Sequence, residues 1–366
     1  MPPAVVAVAL SGGVDSLVAA HLLREKGLRL LGLHFVTGFE AAGEAQRAQA
    51  PGDIVAAARR RMARVGEQLG IDVEIVDLSR AFRRQVVDYF AATYAAGRTP
   101  SPCLVCNPRI KFGRLLSHAR QRGADRLATG HYARVIKGAD GRMHLYRGRD
   151  AGKDQSYFLA RLSGPRLERA LFPLGEMTKD AVKELARRRG LAPVTSQESQ
   201  DVCFIRGEGY AAFLARLGLA GEKGPIVTVD GRVIGEHRGL QRFTIGQRRG
   251  IDCPAPEPYY VVRIDMRQNR LVVGGRQDLY ASGCRVTNIN WIADRPQRAF
   301  ECTVKIRYRH RAVACRVTPQ GPDAAVVLFR APQAAVTPGQ AAVFYADEEV
   351  LAGGWIASPD GDAAGS

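Results

Sequence analysis

The chain has 366 residues, of which 46% are apolar, which suits two or three domains with substantial interiors better than one small core. Its 53 basic residues outnumber its 36 acidic ones to a formal charge of +17, which implies a polyanionic partner, most simply nucleic acid, since phosphate neutralisation releases counterions. No stretch approaches the roughly 18 apolar residues of a membrane span, and Met1-Pro2-Pro3 does not open a signal peptide, so a cytoplasmic protein with no membrane partner is expected.

Taken in chain order, Val5-Val6-Ala7-Val8-Ala9-Leu10 reads as a buried strand. It feeds Ser11-Gly12-Gly13-Val14-Asp15-Ser16, and residues 17–26 read as a helix. A glycine pair between a strand and a helix turns several backbone N–H groups towards one point, where the helix dipole adds positive potential. Such a turn suits a phosphate or pyrophosphate. It lacks the Lys-Ser/Thr of a Walker A loop and does not fit G-x-G-x-x-G.

Residues 28–36 and 71–77 read as further buried strands, and residues 54–69 and 80–96 as helices. Residues 37–53 read as a mobile loop, and 125–129 as a strand ending at Gly130-His131. A late helix spans 178–189, with Thr178 as its cap and Asp180 in its first turn. This alternation predicts an α/β domain, a parallel sheet with helices on both faces. Ligands of such sheets lie beyond the carboxyl ends of strands, where the 11–16 loop, Phe35 and Gly130 fall.

After residue 206 the pattern turns to β. Residues 226–229 and 232–234 flank Asp230-Gly231, a hairpin signal, and 259–265 and 270–274 form another strand pair. Short runs at 301–308, 312–317, 324–329, 341–345 and 350–356 predict a small barrel or sandwich. The expected organisation is a catalytic domain at 1–205, a small β-rich central domain at 206–280, a β-barrel at 281–357 and a disordered tail at 358–366.

In the cytoplasm, seven cysteines argue for reactive or metal-binding thiols over a disulfide framework. Cys103 and Cys106 form C-x-x-C at a helix start, near Arg98, Arg109 and Lys111, and Cys203 follows much later. Helix N-termini and cations lower thiol pKa values, so available thiolates are expected here. Two such thiols can pass sulfur as a persulfide, close a disulfide and be reset by reduction. Alternatively Cys103, Cys106 and Cys203 ligate an iron–sulfur cluster with one iron open. Cys253, Cys284, Cys302 and Cys315 read as ordinary buried thiols.

The loop and the cysteines together resemble the tRNA-specific 2-thiouridylase (MnmA) family of PP-loop ATP pyrophosphatases. Family-like blocks recur in order: Gly97-Arg98-Thr99-Pro100, Cys106-Asn107 with Ile110-Lys111-Phe112, Thr129-Gly130-His131-Tyr132 and Lys153-Asp154-Gln155-Ser156. Thr244-Ile245-Gly246-Gln247, Lys305-Ile306-Arg307-Tyr308 and Thr337-Pro338-Gly339-Gln340 follow. The resemblance implies ATP-dependent 2-thiolation of the wobble uridine in tRNAs for Lys, Glu and Gln, with Mg²⁺ accompanying ATP. It implies an ATP site at Ala9, Leu10, Ser11, Gly12, Gly13, Val14, Asp15, Ser16, Phe35 and Gly130. Cys203 matches the persulfide carrier, loaded by a cysteine desulfurase or sulfur-carrier protein, and Cys106 the partner nucleophile. Positions matching tRNA contacts are His131, Lys153, Asp154, Gln155, Arg307, Tyr308 and Gln340, with Ser101, Pro102 and Cys103 meeting a flipped target base. Ser101 stands where the family often has Asn, and Cys103 where some members have Asp.

Two other readings compete. Another PP-loop enzyme, modifying tRNA or transferring an amide, would not need Cys106 and Cys203. A non-catalytic RNA-binding protein would not need the intact 11–16 loop.

Overall fold

The computed structural model describes residues 5–40, 51–195, 202–205, 207 and 209–359, without the side chains of 51–53. The chain divides into two compact units. One comprises Met1–Val86, Cys103–Gly207 and Glu348–Leu351, and the other Val87–Pro102, Glu208–Asp347 and Ala352–Ser366. Residues 87–102, which the sequence placed in the first domain, therefore cluster with the second unit.

In the first unit β1 (Val5–Ala9) lies between β2 (Arg29–Val36) and β4 (Ala124–Ala128), all parallel, with β3 (Val73–Asp77) beyond β2. Counting the two-residue β7 (Ala170–Leu171), the order is β3-β2-β1-β4-β7. Val6, Ala7 and Val8 are all buried, which fits an apolar strand covered on both faces. Helices α1 (Val14–Glu25), α2 (Pro51–Leu69) and α4 (Lys179–Arg188) supply Leu17, Met62 and Val182 to the core against Val6 and Val8. Strand order reverses direction from β1 to β4, and the loops after those strands meet at this switch point.

Between β3 and β4, α3 begins as an α-helical turn (Cys103–Cys106), continues as a π-helix (Asn107–Leu115) and ends α-helically (Leu116–Gln121). A π-helical stretch widens the helix and often marks a functional position. A second such turn, Arg83–Val87, interrupts the helix expected at 80–96. After β4 the chain forms an antiparallel hairpin, β5 (Ala133–Lys137) and β6 (Met143–Arg147), absent from the sequence reading.

In the second unit, β8 (Gly224–Thr228), β9 (Val233–His237), β10 (Tyr260–Asp265) and β11 (Arg270–Gly274) form a sheet ordered β10-β11-β8-β9. Ile226, Val261, Leu271 and Val273 are its core, with Leu240 and Phe243. A closed six-stranded antiparallel barrel follows: β12 (Tyr280–Trp291), β13 (Phe300–Lys305), β14 (Val313–Gln320), β15 (Ala324–Ala334), β16 (Ala341–Ala346) and β17 (Glu349–Pro359). The β12–β17 pairing closes it.

Two expectations need correction. Ser358 and Pro359 are not tail but strand, paired with Arg285 and Cys284; residues 360–366 lie outside the described residues. Pro51–Leu69 is helical from its first residue, so the loop expected at 37–53 ends earlier, and 41–50 lie outside the described residues. Among the described residues no helix is long and apolar enough to cross a membrane.

Candidate active site

The 11–16 loop joins β1 to α1. Gly13 is the N-cap of α1 in an extended conformation, and among the described residues no side chain caps the helix there. The first-turn N–H groups, at the positive end of a 12-residue helix, are a donor type that fits phosphate oxygens. Ser16 holds the loop's shape: its Oγ donates to the Gly13 carbonyl (2.9 Å) and accepts from Ser11 N–H (3.2 Å). Gly12 has φ +83°, and its carbonyl accepts from Val194 N–H at 2.9 Å. A Cβ there would come within 2.7 Å of a Val194 methyl, so both conformation and packing require glycine.

Gly130 brings the β4 loop onto the same point. A Cβ on it would lie 2.9 Å from the Asp15 carbonyl carbon and 3.0 Å from the Ser16 nitrogen. Phe35 is half-buried near the carboxyl end of β2, in register with Val76. Leu10 receives its neighbours through its backbone, donating to the Leu33 carbonyl (2.8 Å) and accepting from His34 Nδ1 (2.7 Å).

Asp15 is half-buried and partnered on both carboxylate oxygens. Lys179 Nζ lies 2.8 Å from both of its carboxylate oxygens, and Tyr132 Oη donates to Oδ1 at 2.7 Å. Lys179 and Tyr132 are 6% and 2% exposed, so the pair is buried on the side of the lysine and the tyrosine while the Asp15 carboxylate stays partly exposed. Gln155 braces the tyrosine: Tyr132 N–H donates to Gln155 Oε1 (3.1 Å), and Gln155 N–H to the Tyr132 carbonyl (2.8 Å).

The same unit holds the thiols. Cys103 and Cys106 occupy the first turn of α3, half-buried, at i and i+3 and so on one helix face. Cys203 is exposed, on a turn closed by Ile205 N–H donating to the Val202 carbonyl (3.0 Å). Phe204 anchors that turn edge-on against Phe82 (5.6 Å between centroids), with Phe39 completing a three-ring cluster. The charge of Cys203 acts on both helix thiols.

The expected low thiol pKa values are corrected here. Burial, the largest cause, pushes Cys103 up to about 11 and Cys106 up to about 12, with the like charge of Cys203 adding to both. Lys111 pulls the other way and loses. At neutral pH a thiol near 12 is ionised in only about one molecule in 10⁵.

Lys111 also ties the thiol helix to the loop after β4. Its Nζ donates to His131 Nε2 (3.2 Å), so Nδ1 carries the ring proton and donates to Thr129 Oγ1 (2.6 Å). His131 is buried, which with the nearby lysine charge lowers its pKa well below the usual value and keeps it neutral. Among the described residues no three His, Cys, Asp or Glu side chains group to hold a metal ion. Cys103, Cys106 and Cys203 therefore do not fit the alternative of an iron–sulfur cluster in this arrangement, and no step is derived through one.

Residues 4–207 match the family described as tRNA methyl transferase HUP domain, 211–275 its PRC-barrel domain, and 281–356 the aminomethyltransferase beta-barrel domain. A tRNA-specific 2-thiouridylase MnmA from Desulfosudis oleivorans is 51% identical over 352 residues, spanning 96% of this chain and 94% of the relative. Its namesake from Geobacter metallireducens is 46% identical over 96% of each chain. The chain belongs to the tRNA-specific 2-thiouridylase family. A third member, from Pelobacter propionicus, is 46% identical over 98% of this chain and 99% of its own.

For this 2-thiouridylase family member, the residues expected to meet tRNA divide between the units. In the first, the Asp154 carboxylate closes its own turn, accepting from Gly148 N–H (3.1 Å), Ser156 N–H (3.0 Å) and Ser156 Oγ (3.0 Å). Lys153 beside it is half-buried. In the second, Gln340 Nε2 donates to the Pro100 carbonyl (3.1 Å) and Thr99 N–H to that of Pro338 (2.9 Å), fixing the segment that leads to Ser101 and Pro102, both buried. Arg307 is exposed, one guanidinium N–H on the Ala334 carbonyl (3.1 Å), and Lys305 lies 5.6 Å from the Tyr308 ring centre.

Sequence reasoning missed Lys179, Tyr132 and Phe204. Lys179 carried one usable signal: a lysine at the first position of a helix opposes the helix dipole.

Proposed function

We propose that the protein uses ATP to activate the C2 oxygen of the tRNA wobble uridine, in tRNAs for Lys, Glu and Gln, and replaces it with sulfur carried by Cys203. The observation that carries this reading is the continuity of the first unit, in which Gly130 rests on the first turn of α1 and the adjacent His131 binds Lys111 of the thiol helix. Family membership and the +17 charge favour tRNA as the polyanion.

The free amides at the start of α1 hold the phosphates of ATP and stabilise the charge that grows on departing pyrophosphate. Mg²⁺ arrives with ATP; Asp15 is the loop carboxylate that would share it with the phosphates. The uridine O2 attacks the α-phosphorus, pyrophosphate leaves, and C2 becomes bonded to an AMP leaving group. The terminal sulfur of a Cys203 persulfide then displaces AMP from C2. Cys106 attacks Sγ of Cys203, the bond to the delivered sulfur breaks, and the Cys106 proton passes to the 2-thiouridine. A Cys106–Cys203 disulfide remains for an external dithiol to reduce.

The high pKa of Cys106 has a use in this sequence. A protonated thiol does not discharge the neighbouring persulfide before the base has been activated. Exposure of Cys203 suits loading by a desulfurase or carrier protein in the cytoplasm. The buried Ser101 and Pro102, with Lys153, Arg307 and Tyr308, are the residues assigned to the RNA.

The test is tRNA-dependent pyrophosphate release together with 2-thiouridine formation, with a persulfide donor supplied. Both are expected from wild type. Pyrophosphate release without thiolation is expected from Cys203→Ala. Unchanged turnover in that variant would transfer the reading to a PP-loop enzyme with another nucleophile.

A further inference from the structure

The ion pair at the nucleotide loop points beyond the loop itself. Lys179 opens α4, with Thr178 capping that helix by accepting from Ala181 N–H at 3.2 Å. Its own N–H donates to Asp150 Oδ2 (2.8 Å), so its backbone is pinned while its side chain crosses to a residue 164 positions earlier. A cation at this helix position weakens α4 through the dipole, and burying an ammonium costs several kcal/mol unless it is matched. Folding alone would favour neither. A local rule broken in this way is expected at a functional position.

The destination explains the placement. Lys179 Nζ sits on Asp15, the second residue of α1, beside the uncapped first turn that would receive phosphate. Asp15 is 34% exposed at its side chain and Lys179 only 7%, so the carboxylate forms the outer side of the pair and the ammonium the inner. Tyr132 holds one carboxylate oxygen from the β4 loop, so the carboxylate stays in place if the lysine leaves.

We propose that Lys179 is a phosphate-positioning residue of the adenylation step, held in reserve on Asp15 until nucleotide binds. ATP would then take the ammonium onto its phosphates, and the Asp15 carboxylate, still held by Tyr132, would be left facing the Mg²⁺ that accompanies ATP. The exchange keeps both charges matched in either state. It also explains how an acidic residue and a phosphate site share one helix turn without repulsion. The inference rests on the reading that the 11–16 loop binds ATP.

The test uses the full chain, with Lys179→Met and Lys179→Arg compared to wild type. MgATP binding is measured by calorimetry, tRNA binding by filter retention, and KM and kcat from tRNA-dependent pyrophosphate release. Lys179→Met is expected to raise KM for MgATP at least tenfold and to lower kcat, with tRNA affinity within twofold. Lys179→Arg, which keeps the charge, is expected to recover part of KM. A Lys179→Met enzyme with KM and kcat within twofold of wild type overturns the proposal. So does loss of tRNA binding and of a cooperative melt in Lys179→Met, unrelieved by arginine, which would make the ion pair structural. A wild type that binds no MgATP overturns instead the reading beneath it.

Discussion

The first unit gathers three cysteines and the barrel three others, and their surroundings differ. In the first, Cys103, Cys106 and Cys203 are half-buried or exposed, with Lys111 among the charges that act on the helix pair. In the barrel, Cys302 and Cys315 face one another across β13 and β14, Sγ to Sγ at 3.6 Å, and Cys284 is close enough to act on Cys315. Cys284 and Cys315 are fully buried. The hydrogen bond to Cys302 and burial push the Cys315 thiol far up, and the charges that act on it (Cys302, Cys284, Glu301) all push the same way. Burial raises thiols in both places, so proximity of sulfur atoms does not make a reactive set. The first set differs in having a cation within reach and one thiol displayed on a surface turn, and the proposed function rests on that difference.

The largest effect separates the two sets directly. Cys203→Ala and Cys106→Ala should each reduce 2-thiouridine formation at least a thousandfold, whereas Cys302→Ala and Cys315→Ala should stay within about twofold. Nucleoside mass spectrometry of reacted tRNA reads both, and a comparable loss from a barrel variant would break the distinction.

Labelling against pH sharpens it. The thiolate is the form that reacts, so a raised pKa lowers reactivity at any pH below it. With iodoacetamide, Cys203 should label first at pH 7.5. Cys103 and Cys106, pushed to about 11 and about 12, should gain about tenfold per pH unit from 8 to 10 with no plateau. Cys315 should lag behind both, and a plateau for Cys106 near pH 8 would contradict the burial argument.

A smaller effect probes the turn. Phe204→Ala removes the ring that packs on Phe82 and Phe39, and should slow sulfur transfer about tenfold while MgATP binding is kept. Equal loss of both would show that the ring cluster supports the whole unit instead. Smaller still, Lys111→Met removes the cation opposing burial, and should slow Cys106 labelling at pH 9 by about threefold to tenfold. Faster labelling would show that Lys111 shields the thiol more than it activates it.

Features encoded by neighbouring residues were legible in the sequence. The glycine loop, the Thr178 cap and the alternation of the first sheet depend on short-range patterns, and the structure holds all three. The Lys179–Asp15 pair joins residues 164 positions apart, and the barrel thiol pair lies on two unremarkable strands. The direction of the thiol shifts was misread because sequence displays charged neighbours and hides burial, which proved the larger cause. Asp154 and Gln155 illustrate the same limit. Their side chains stand in a family-like block, yet both make bonds within the fold, one closing a turn and the other steadying Tyr132.

The most direct measurement is a disulfide map after one turnover. Enzyme loaded with persulfide at Cys203, mixed with tRNA and MgATP without reductant, is quenched with an alkylating agent and digested for peptide mass spectrometry. The account predicts one new Cys106–Cys203 crosslink per 2-thiouridine formed, with Cys302 and Cys315 still alkylated as free thiols. Full thiolation with no Cys106–Cys203 crosslink would contradict it.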